Sequence, residues 1–326
     1  MVGQHSPMVE RPMVERFTVD QRSGEQDRHT APVVVGIDDS AASDLAVRWA
    51  ADLARMRGRR LHLVHALDLA ATRAAFTPHV RLMPTVVTEL YEQGVEYLAA
   101  AEQLAHETAP DLDIDTEIVE GSPAEVLTER SAGALCTVLG TGKAGLLGYL
   151  GSTVSAVGAQ GHGAGGVVRA CGGELQIRRT GPVVVGIDGS GAHNQATIGA
   201  AFAEAAERRT GLVAVHCWSD LRFEQLTGLP DTIDDTEIET AARELLAAQL
   251  AGWDEKYPQV ELTRKTYLSG PRHHLLEWSK PAQLVVVGSR GRGGFRRLLL
   301  GSTSNALVQQ AHCPVMVVHP DSDPSR

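Results

Sequence analysis

The chain has 326 residues, of which 43% are hydrophobic and 21% are charged, and its formal net charge is −10 at pH 7. This length accommodates two ordinary domains, and the hydrophobic share is enough to build a core in each. The negative charge argues against a protein that wraps nucleic acid or lies on an anionic membrane, because both functions need a basic surface.

The sequence also disfavours membrane insertion, secretion and structural metal binding. No run approaches the roughly 18 apolar residues of a membrane helix, and the first residues lack the basic and then apolar layout of a secretory signal. We therefore predict a cytoplasmic protein. The four cysteines form no C-x-x-C pair, so they predict reduced, mostly buried thiols rather than a zinc site or a disulfide framework.

An internal repeat divides the chain. "PVVVGIDDS" begins at Pro32 and "PVVVGIDGS" begins at Pro182, and a Gly-Ser-Thr sequence occurs at 151–153 and again at 301–303, so both pairs are 150 positions apart. A period of this length indicates two copies of a whole domain rather than a solenoid. The predicted organisation is a disordered polar tail at 1–30, domain 1 at 31–170, a linker at 171–180 and domain 2 at 181–320.

Both copies alternate strands with helices in chain order. In domain 1, the apolar run after Pro32 predicts a strand, and the next helix carries Leu45, Trp49 and Leu53 on one face, with Gly58 at its C-cap position. In domain 2, the predicted strands are 183–187, 212–217, 260–267, 284–287 and 314–318. The predicted helices of domain 2 lie around 198–206, 238–253, 273–280 and 302–310.

This alternation predicts an α/β fold, in which a mostly parallel sheet is covered by helices on both faces. In such sheets ligands bind beyond the carboxyl ends of the strands, where the strand order reverses. We expect the last strand, 314–318, to lie at an apolar edge of its sheet, where it would pair with a second copy of the chain and form a homodimer. Pairing with domain 1 of the same chain would satisfy the same edge.

A glycine-rich loop follows the fourth strand of domain 2, in the stretch "VVVGSRGRGGFRRLLLGST" at 285–303. Its glycines let backbone N–H groups face a phosphate, and Gly301 precedes a helix whose first N–H groups favour an anion. Neither familiar phosphate motif accounts for these glycines. The Gly-Lys pair at 142–143 in domain 1 is not part of a Walker A loop, because Thr137 stands where the first Gly is needed and Ala144 where Ser or Thr is needed. A dinucleotide-binding G-x-G-x-x-G should follow the first strand, whereas the loop of domain 2 follows the fourth.

Three features together resemble the universal stress protein family, in the tandem two-domain form of mycobacteria and other actinobacteria. They are the first-strand sequence "VVGID", the spacing Gly288-x2-Gly291-x9-Gly301-Ser302 and the ending "AHCPVMVV", within a likeness that spans about residues 31–320. The resemblance implies that each domain is a five-stranded parallel sheet with helices on both faces, Rossmann-like and adenine nucleotide alpha hydrolase-like. It also implies that the domain with the glycine motif binds ATP, with or without Mg²⁺.

Carried over residue by residue, the resemblance assigns nucleotide contacts to the ends of the first two strands, the glycine loop and the following helix start. In domain 2 these residues are Gly186, Asp188, Asp220, Gly288, Ser289, Arg290, Gly291, Arg292, Gly293, Gly294, Gly301, Ser302, Thr303 and Ser304. In domain 1 the corresponding candidates are Gly36, Asp38, Gly140, Gly142, Lys143, Ser152 and Thr153.

Domain 1 carries a reduced version of the loop. Its last anchor glycine, Gly151, lies 11 positions after Gly140, whereas Gly301 lies 13 positions after Gly288, and Lys143 is the only basic residue in between. Three glycines at 163–166 replace the Cys-Pro-Val-Met of domain 2 and should weaken the last strand. We predict one tightly held ATP per chain, with the site of domain 1 empty or weaker by roughly tenfold or more.

Some of these residues have simpler interpretations. Asp188 could cap the helix that follows it, with or without a contact to the ligand. His65 and His216 end the matching second strands at the expected rim of the site, and a structural role is favoured for both. The histidines at 273–274 are disfavoured as metal ligands, because adjacent helical residues point in different directions.

The sequence assigns no catalytic residue, because no paired acidic motif follows the glycine loop. We therefore favour an ATP-gated regulator of stress adaptation, acting through protein partners. Three alternatives stay open. An ATP-hydrolysing or adenylating enzyme would usually carry Ser-Gly-Gly-x-Asp-Ser after the first strand, which "GIDGSGA" lacks. A scaffold without nucleotide fits the intact loop poorly, and a protein that binds a cyclic nucleotide would have the same sequence pattern.

Overall fold

The computed structural model describes residues 30–75, 84–141, 149–162, 164–169, 177–189, 194–219, 235–289 and 300–319. Domain 1 contains β1 (Val33–Gly36), α1 (Ala41–Arg57), β2 (Leu61–Leu67), α2 (Leu69–Ala75), α3 (Pro84–Thr108), β3 (Ile114–Glu120), α4 (Pro123–Ser131), β4 (Cys136–Thr141), α5 (Tyr149–Gln160) and β5 (Ala164–Arg169). Domain 2 contains β6 (Val183–Ile187), α6 (Asn194–Glu207), β7 (Leu212–Ser219), α7 (Asp235–Leu250), α8 (Trp253–Lys256), β8 (Leu262–Ser269), α9 (Pro271–Ser279), β9 (Leu284–Gly288), α10 (Ser302–Gln310) and β10 (Val315–Val318). The predicted tail, except residue 30, and most of the predicted linker lie outside the described residues.

Within each domain the five strands are parallel and follow the same order. The orders are β3-β2-β1-β4-β5 in domain 1 and β8-β7-β6-β9-β10 in domain 2. The predicted α/β fold with two five-stranded parallel sheets is therefore confirmed. The ends of several elements differ from the sequence prediction by a few residues, because periodic apolar residues mark the buried face of a helix and not its ends.

The last strand of domain 2 is not an edge strand. β10 pairs in parallel with β9 and antiparallel with β5 of domain 1, so that Val315 lies opposite Val167 and Val318 opposite Ala164. The two domains thereby share one ten-stranded sheet whose outer strands are β3 and β8. β10 is the outer strand of the five strands of domain 2, as predicted, and of the two partners left open for this edge the structure shows domain 1 of the same chain. The homodimer stays a prediction, but β10 is not available for it, because β5 already pairs with this strand.

The apolar core forms one layer on each face of this shared sheet, and both layers run through the two domains. One layer packs α1, α3, α6 and α7 against the sheet. The other layer packs α4, α5, α9 and α10 against the opposite face. Within the described residues, none of the helices combines the length and the apolar composition that crossing a bilayer requires.

Of the two glycines in β5, Gly165 and Gly166, the second has a packing role that the sequence did not suggest. β5 forms in spite of them and pairs on both sides. A β-carbon at Gly166 would lie 2.7 Å from the ring of Trp49, which is buried on α1, so the glycine leaves room for the indole. Gly166 is also opposite Met316 in the junction, and Met316 shares the core layer of Trp49. The indole of Trp49 thus fills the space that a side chain at Gly166 would otherwise occupy.

A buried ion pair links the domains beside this junction. Glu204 on α6 is 3% exposed, and its carboxylate accepts hydrogen bonds from Arg57 of domain 1 at 2.7 Å and from Arg208 at 3.0 Å. Burial by itself lowers the pKa of Arg57, but the charge and the hydrogen bond of Glu204 outweigh it, so the net shift is upward. Burial, with the nearby charge of Glu204, also raises the pKa of the Cys136 thiol to about 12, so this cysteine stays a protonated core residue.

Candidate functional site

The candidate site of domain 1 lies where the order of the strands reverses. β1 has β2 on one side and β4 on the other, and the carboxyl ends of β1 and β4 border a cavity of about 90 Å³. Of the predicted residues, Gly36, Asp38, Gly140 and Thr153 line this cavity together with His65. The structure therefore brings the end of β1 together with residues of β4 and α5 that lie more than a hundred positions later in the sequence.

Asp38 organises the turn between β1 and α1. Its Oδ1 accepts hydrogen bonds from the backbone N–H of Ser40, at 3.0 Å, and from the Ser40 hydroxyl. Ser40 in turn is the N-cap of α1, and its Oγ accepts the N–H of Ser43 at 3.1 Å. Asp188 was considered as a helix cap, and its counterpart in domain 1, Asp38, acts on the cap of α1 only indirectly. Ser40 caps the helix, and Asp38 holds Ser40 in position.

His65 and His216 hold the first strands in place from β2 and β7. The Nδ1 atom of His65 lies 2.9 Å from the carbonyl oxygen of Ile37, and that of His216 lies 2.8 Å from the carbonyl oxygen of Ile187. His216 is fully buried, so the expected position at the rim of the site is wrong for this residue, whereas His65 does line the cavity of domain 1. The matching contacts indicate a structural role for both rings.

Several predicted glycines are close-packing positions. A β-carbon at Gly36 would lie 2.7 Å from Leu127 of α4, and one at Gly186 would lie 2.9 Å from Leu275 of α9. At Gly140 a β-carbon would lie 2.2 Å from the backbone carbonyl oxygen of Ala42. These glycines therefore let the helices approach the ends of the strands closely, which is a requirement of the fold whether or not a ligand binds.

In domain 2, backbone hydrogen bonds join the end of β9 to the start of α10. The N–H of Ser289 donates to the carbonyl of Val318 at 2.8 Å, and the N–H of Gly301 donates to the carbonyl of Ser289 at 3.0 Å. The hydroxyl of Ser304 donates to the carbonyl of Gly288 at 2.7 Å. The two anchor glycines of the loop, 13 positions apart in sequence, are thus held side by side at the carboxyl end of β9.

One hydroxyl at this place has no partner. Ser289 is 2% exposed, and its Oγ makes no hydrogen bond with any part of the chain that the structure describes. The neighbouring helix α10 begins at Ser302, and its N-cap residue, Gly301, offers no side-chain cap to the N–H groups of residues 302–304. A buried, unsatisfied hydroxyl normally costs on the order of 1–3 kcal/mol. Its position next to an uncapped helix start is typical of a site that is completed by an anionic ligand.

Comparison with known proteins establishes the family. A model described as the universal stress protein family matches the chain twice, at 30–162 and at 180–319. The chain belongs to the universal stress protein family. A universal stress protein of Mycolicibacterium smegmatis is 39% identical over 295 residues, covering 88% of this chain and 97% of the relative. One of Mycobacterium tuberculosis is 37% identical over 293 residues, covering 87% and 95%. The predicted membership and the predicted mycobacterial form are confirmed.

A solved structure supports the fold in the same way. The crystal structure of a universal stress protein from Archaeoglobus fulgidus matches with a TM-score of 0.62 and 17% identity, covering 88% of this chain and 98% of that chain. Because the identity is low, this likeness bears on the fold alone. Because it covers 88% of this chain, it includes residues of both domains.

Part of the predicted site of this universal stress protein lies outside the described residues. The predicted residues in question are Gly142, Lys143, Asp220, Arg290, Gly291, Arg292, Gly293 and Gly294. Ser152 lies in the first turns of α5, Thr153 beside it is 4% exposed, and Ser302 and Thr303 begin α10. The described residues thus supply both ends of each glycine loop.

Sequence reasoning missed a polar support under Asp188. The backbone carbonyl of Asp188 accepts hydrogen bonds from the side-chain amides of Asn194, at 2.6 Å, and Gln249, at 3.1 Å. Asn194 also donates to the Oε1 of Gln249 at 2.7 Å. The sequence did contain a signal for this contact, because Gln249 is a polar residue on the otherwise apolar face of α7. A side-chain amide at such a position needs a hydrogen-bond partner inside the protein.

The histidines at 273–274 do not form a metal centre with other residues of the described part of the chain. His274 stacks on Tyr267 with 3.7 Å between ring centroids, and burial together with His273 lowers the pKa of His274. Among the described residues, no group of three or more His, Cys, Asp or Glu side chains is placed to hold a metal ion.

Proposed function

We propose that this universal stress protein binds ATP in domain 2 and works in the cytoplasm as a nucleotide-dependent regulator. The observation that carries the proposal is the buried hydroxyl of Ser289, which has no hydrogen-bond partner among the described residues and lies beside the uncapped start of α10. Both features are satisfied by one ligand, since a phosphate oxygen can accept from the hydroxyl and from the first N–H groups of the helix.

The charge of the surrounding sequence supports a polyphosphate rather than a neutral ligand. Arginines 290, 292, 296 and 297 all lie between Gly288 and Gly301. They add positive charge to the same loop although the chain as a whole carries −10. In the proposal the glycine loop, Ser302 and Thr303 contact the phosphates, and Asp188 lies toward the nucleoside at the end of β6.

The proposal includes that domain 2 binds ATP without hydrolysing it efficiently. From Gly288 to His319 the sequence contains no Asp or Glu. Efficient phosphoryl transfer uses carboxylates to hold Mg²⁺ and a base to position the nucleophile. This segment offers contacts to phosphate but no such carboxylate, which supports a sensor whose output is a change in protein contacts.

Domain 1 is proposed to be the weaker nucleotide site. Its loop is shorter and carries a single basic residue. Its cavity of about 90 Å³ is smaller than the roughly 300–1,000 Å³ of most ligand sites. The residues that domain 1 retains, such as Asp38 and Gly140, already have structural roles. Their presence therefore does not require a ligand.

The proposal is tested by the variant Ser289→Ala. Because Ser289 Oγ makes no hydrogen bond in the described protein, its removal should leave the folded protein as stable as before or slightly more stable. If the hydroxyl donates to ATP, affinity should fall about threefold to tenfold in titration calorimetry, the usual worth of one hydrogen bond.

Thr137→Val is the matched control for this variant. Thr137 is 1% exposed, and its Oγ1 also makes no hydrogen bond with the described residues, but it lies on β4 of domain 1. Its replacement should leave ATP affinity unchanged. An unmodified protein that shows no heat of ATP binding, or a Ser289→Ala protein with full affinity, would contradict the proposal.

A further inference from the structure

Leu300, which precedes the N-cap residue of α10, is packed on domain 1. Leu300 is 8% exposed and shares a core layer with Val154 and Val157 of α5. A β-carbon at Gly158, also on α5, would lie 2.8 Å from Leu300 Cδ1 and 3.3 Å from Leu300 Cγ. The Leu300 side chain therefore lies directly against the backbone of a helix that belongs to the other domain.

A glycine at this position of α5 is costly for the helix itself. Glycine in a helix interior is less favourable than alanine by about 1 kcal/mol. The equivalent position of domain 2, 150 residues later, holds Val308, which is 5% exposed. The two domains thus differ where they meet, and a side chain at 158 would occupy the space of Leu300. What the glycine provides is close contact between Leu300 and α5.

This contact is one residue away from the candidate phosphate site. Gly301 follows Leu300 directly, and its N–H is bonded to the carbonyl of Ser289. The carbonyl of Gly301 accepts the N–H of Asn305 at 2.8 Å, which begins the hydrogen bonding of α10. A displacement of Leu300 therefore moves the N–H groups at the start of α10 and the residue that carries the unpartnered hydroxyl.

We propose that α5 of domain 1 positions the nucleotide site of domain 2 through the contact between Gly158 and Leu300. This inference rests on the proposed ATP site and adds its regulation. Gly158 and Leu300 act as positioning residues, and neither touches the ligand. α5 also carries Thr153, which lines the cavity of domain 1, so the same helix borders the candidate site of domain 1 and contacts the residue next to the candidate site of domain 2.

The test is Gly158→Val, which introduces the residue found at the equivalent position of domain 2. The valine pushes Leu300 away, so ATP affinity of the full-length protein should fall about fivefold or more in titration calorimetry. Amide hydrogen exchange should accelerate at Gly301 and Asn305 without added nucleotide. In a Leu300→Ala background, the same Gly158→Val change should alter ATP affinity by less than about twofold, because the valine fills the vacated space.

Gly133→Val in domain 1 is the control, since no described atom lies within 4 Å of a β-carbon there. It should change neither ATP affinity nor exchange at the start of α10. Unchanged exchange at Gly301 and Asn305 in Gly158→Val would overturn the inference, as would an equal loss of affinity with and without the Leu300 side chain. A wild-type protein that binds no ATP would refute the proposed function, while the exchange measurement would still decide the inference.

Discussion

Glu204→Ala should lower the free energy of unfolding by about 3 kcal/mol, because it leaves two partly buried guanidinium groups without their shared, fully buried carboxylate. Arg208 is 11% exposed and Arg57 is 24% exposed, so neither recovers full hydration when Glu204 is removed. Since Arg57 belongs to domain 1 and Glu204 to domain 2, the loss should also weaken the junction between the domains. Chemical denaturation followed by circular dichroism measures the change.

Glu207→Ala is the matched control on the same helix. Glu207 pairs with the same Arg57, but at 3.8 Å and with its side chain 45% exposed. An exposed ion pair of this kind contributes at most about 1 kcal/mol. If Glu204→Ala were no more destabilising than Glu207→Ala, the buried pair would not be a major link between the domains.

Gly291→Val should lower the affinity for ATP at least about tenfold. Gly291 lies outside the described residues, so this prediction rests on the loop sequence and on its anchors, Gly288 and Gly301, which the structure holds side by side. A β-carbon where the chain needs positive φ or close approach to a phosphate costs about 1–3 kcal/mol, and about 1.4 kcal/mol corresponds to a factor of ten in affinity.

The corresponding change in domain 1, Gly142→Val, serves as the comparison. If domain 2 holds the tight site, Gly142→Val should leave the measured affinity within about twofold of the original. Titration calorimetry on folded proteins, checked by circular dichroism, gives both values. The assignment of the two domains would be reversed if Gly142→Val removed binding and Gly291→Val did not.

The elements of each domain could be predicted because local sequence determines them. The runs Val183–Ile187 and Leu284–Val287 are apolar throughout, which is typical of strands covered on both faces. Gly58 ends α1 with φ of +58°, as its position after the apolar pattern predicts. The 150-residue repeat then made it possible to transfer each assignment from one domain to the other.

The junction between the domains could not be predicted in the same way. An unpaired apolar edge at β10 was visible in the sequence, but two partners could satisfy it, a second chain or domain 1 of the same chain. The deciding features are contacts between residues far apart, such as Trp49 in the space above Gly166 and Glu204 between Arg57 and Arg208. Nothing in the local pattern around any one of these residues identifies its partner.

The candidate site was predictable in its position but less so in the roles of its residues. The carboxyl ends of the strands were expected to meet at the site, and Gly288, Ser289, Gly301 and Ser304 do lie together. Gly36 and Gly186 were chosen as ligand contacts, yet each faces a leucine of the covering helix. Sequence alone cannot separate a glycine needed by a ligand from one needed by a neighbouring helix.

The most direct test of the account is the identity and amount of nucleotide held by the purified protein. The chain is saturated with ATP, free nucleotide is removed, the protein is denatured, and the released molecules are identified and counted by mass spectrometry. We expect about one molecule of ATP per chain, because domain 1 should lose its ligand when free nucleotide is removed. Two ATP per chain, no ATP, or a cyclic nucleotide retained from the cells in place of ATP would contradict it.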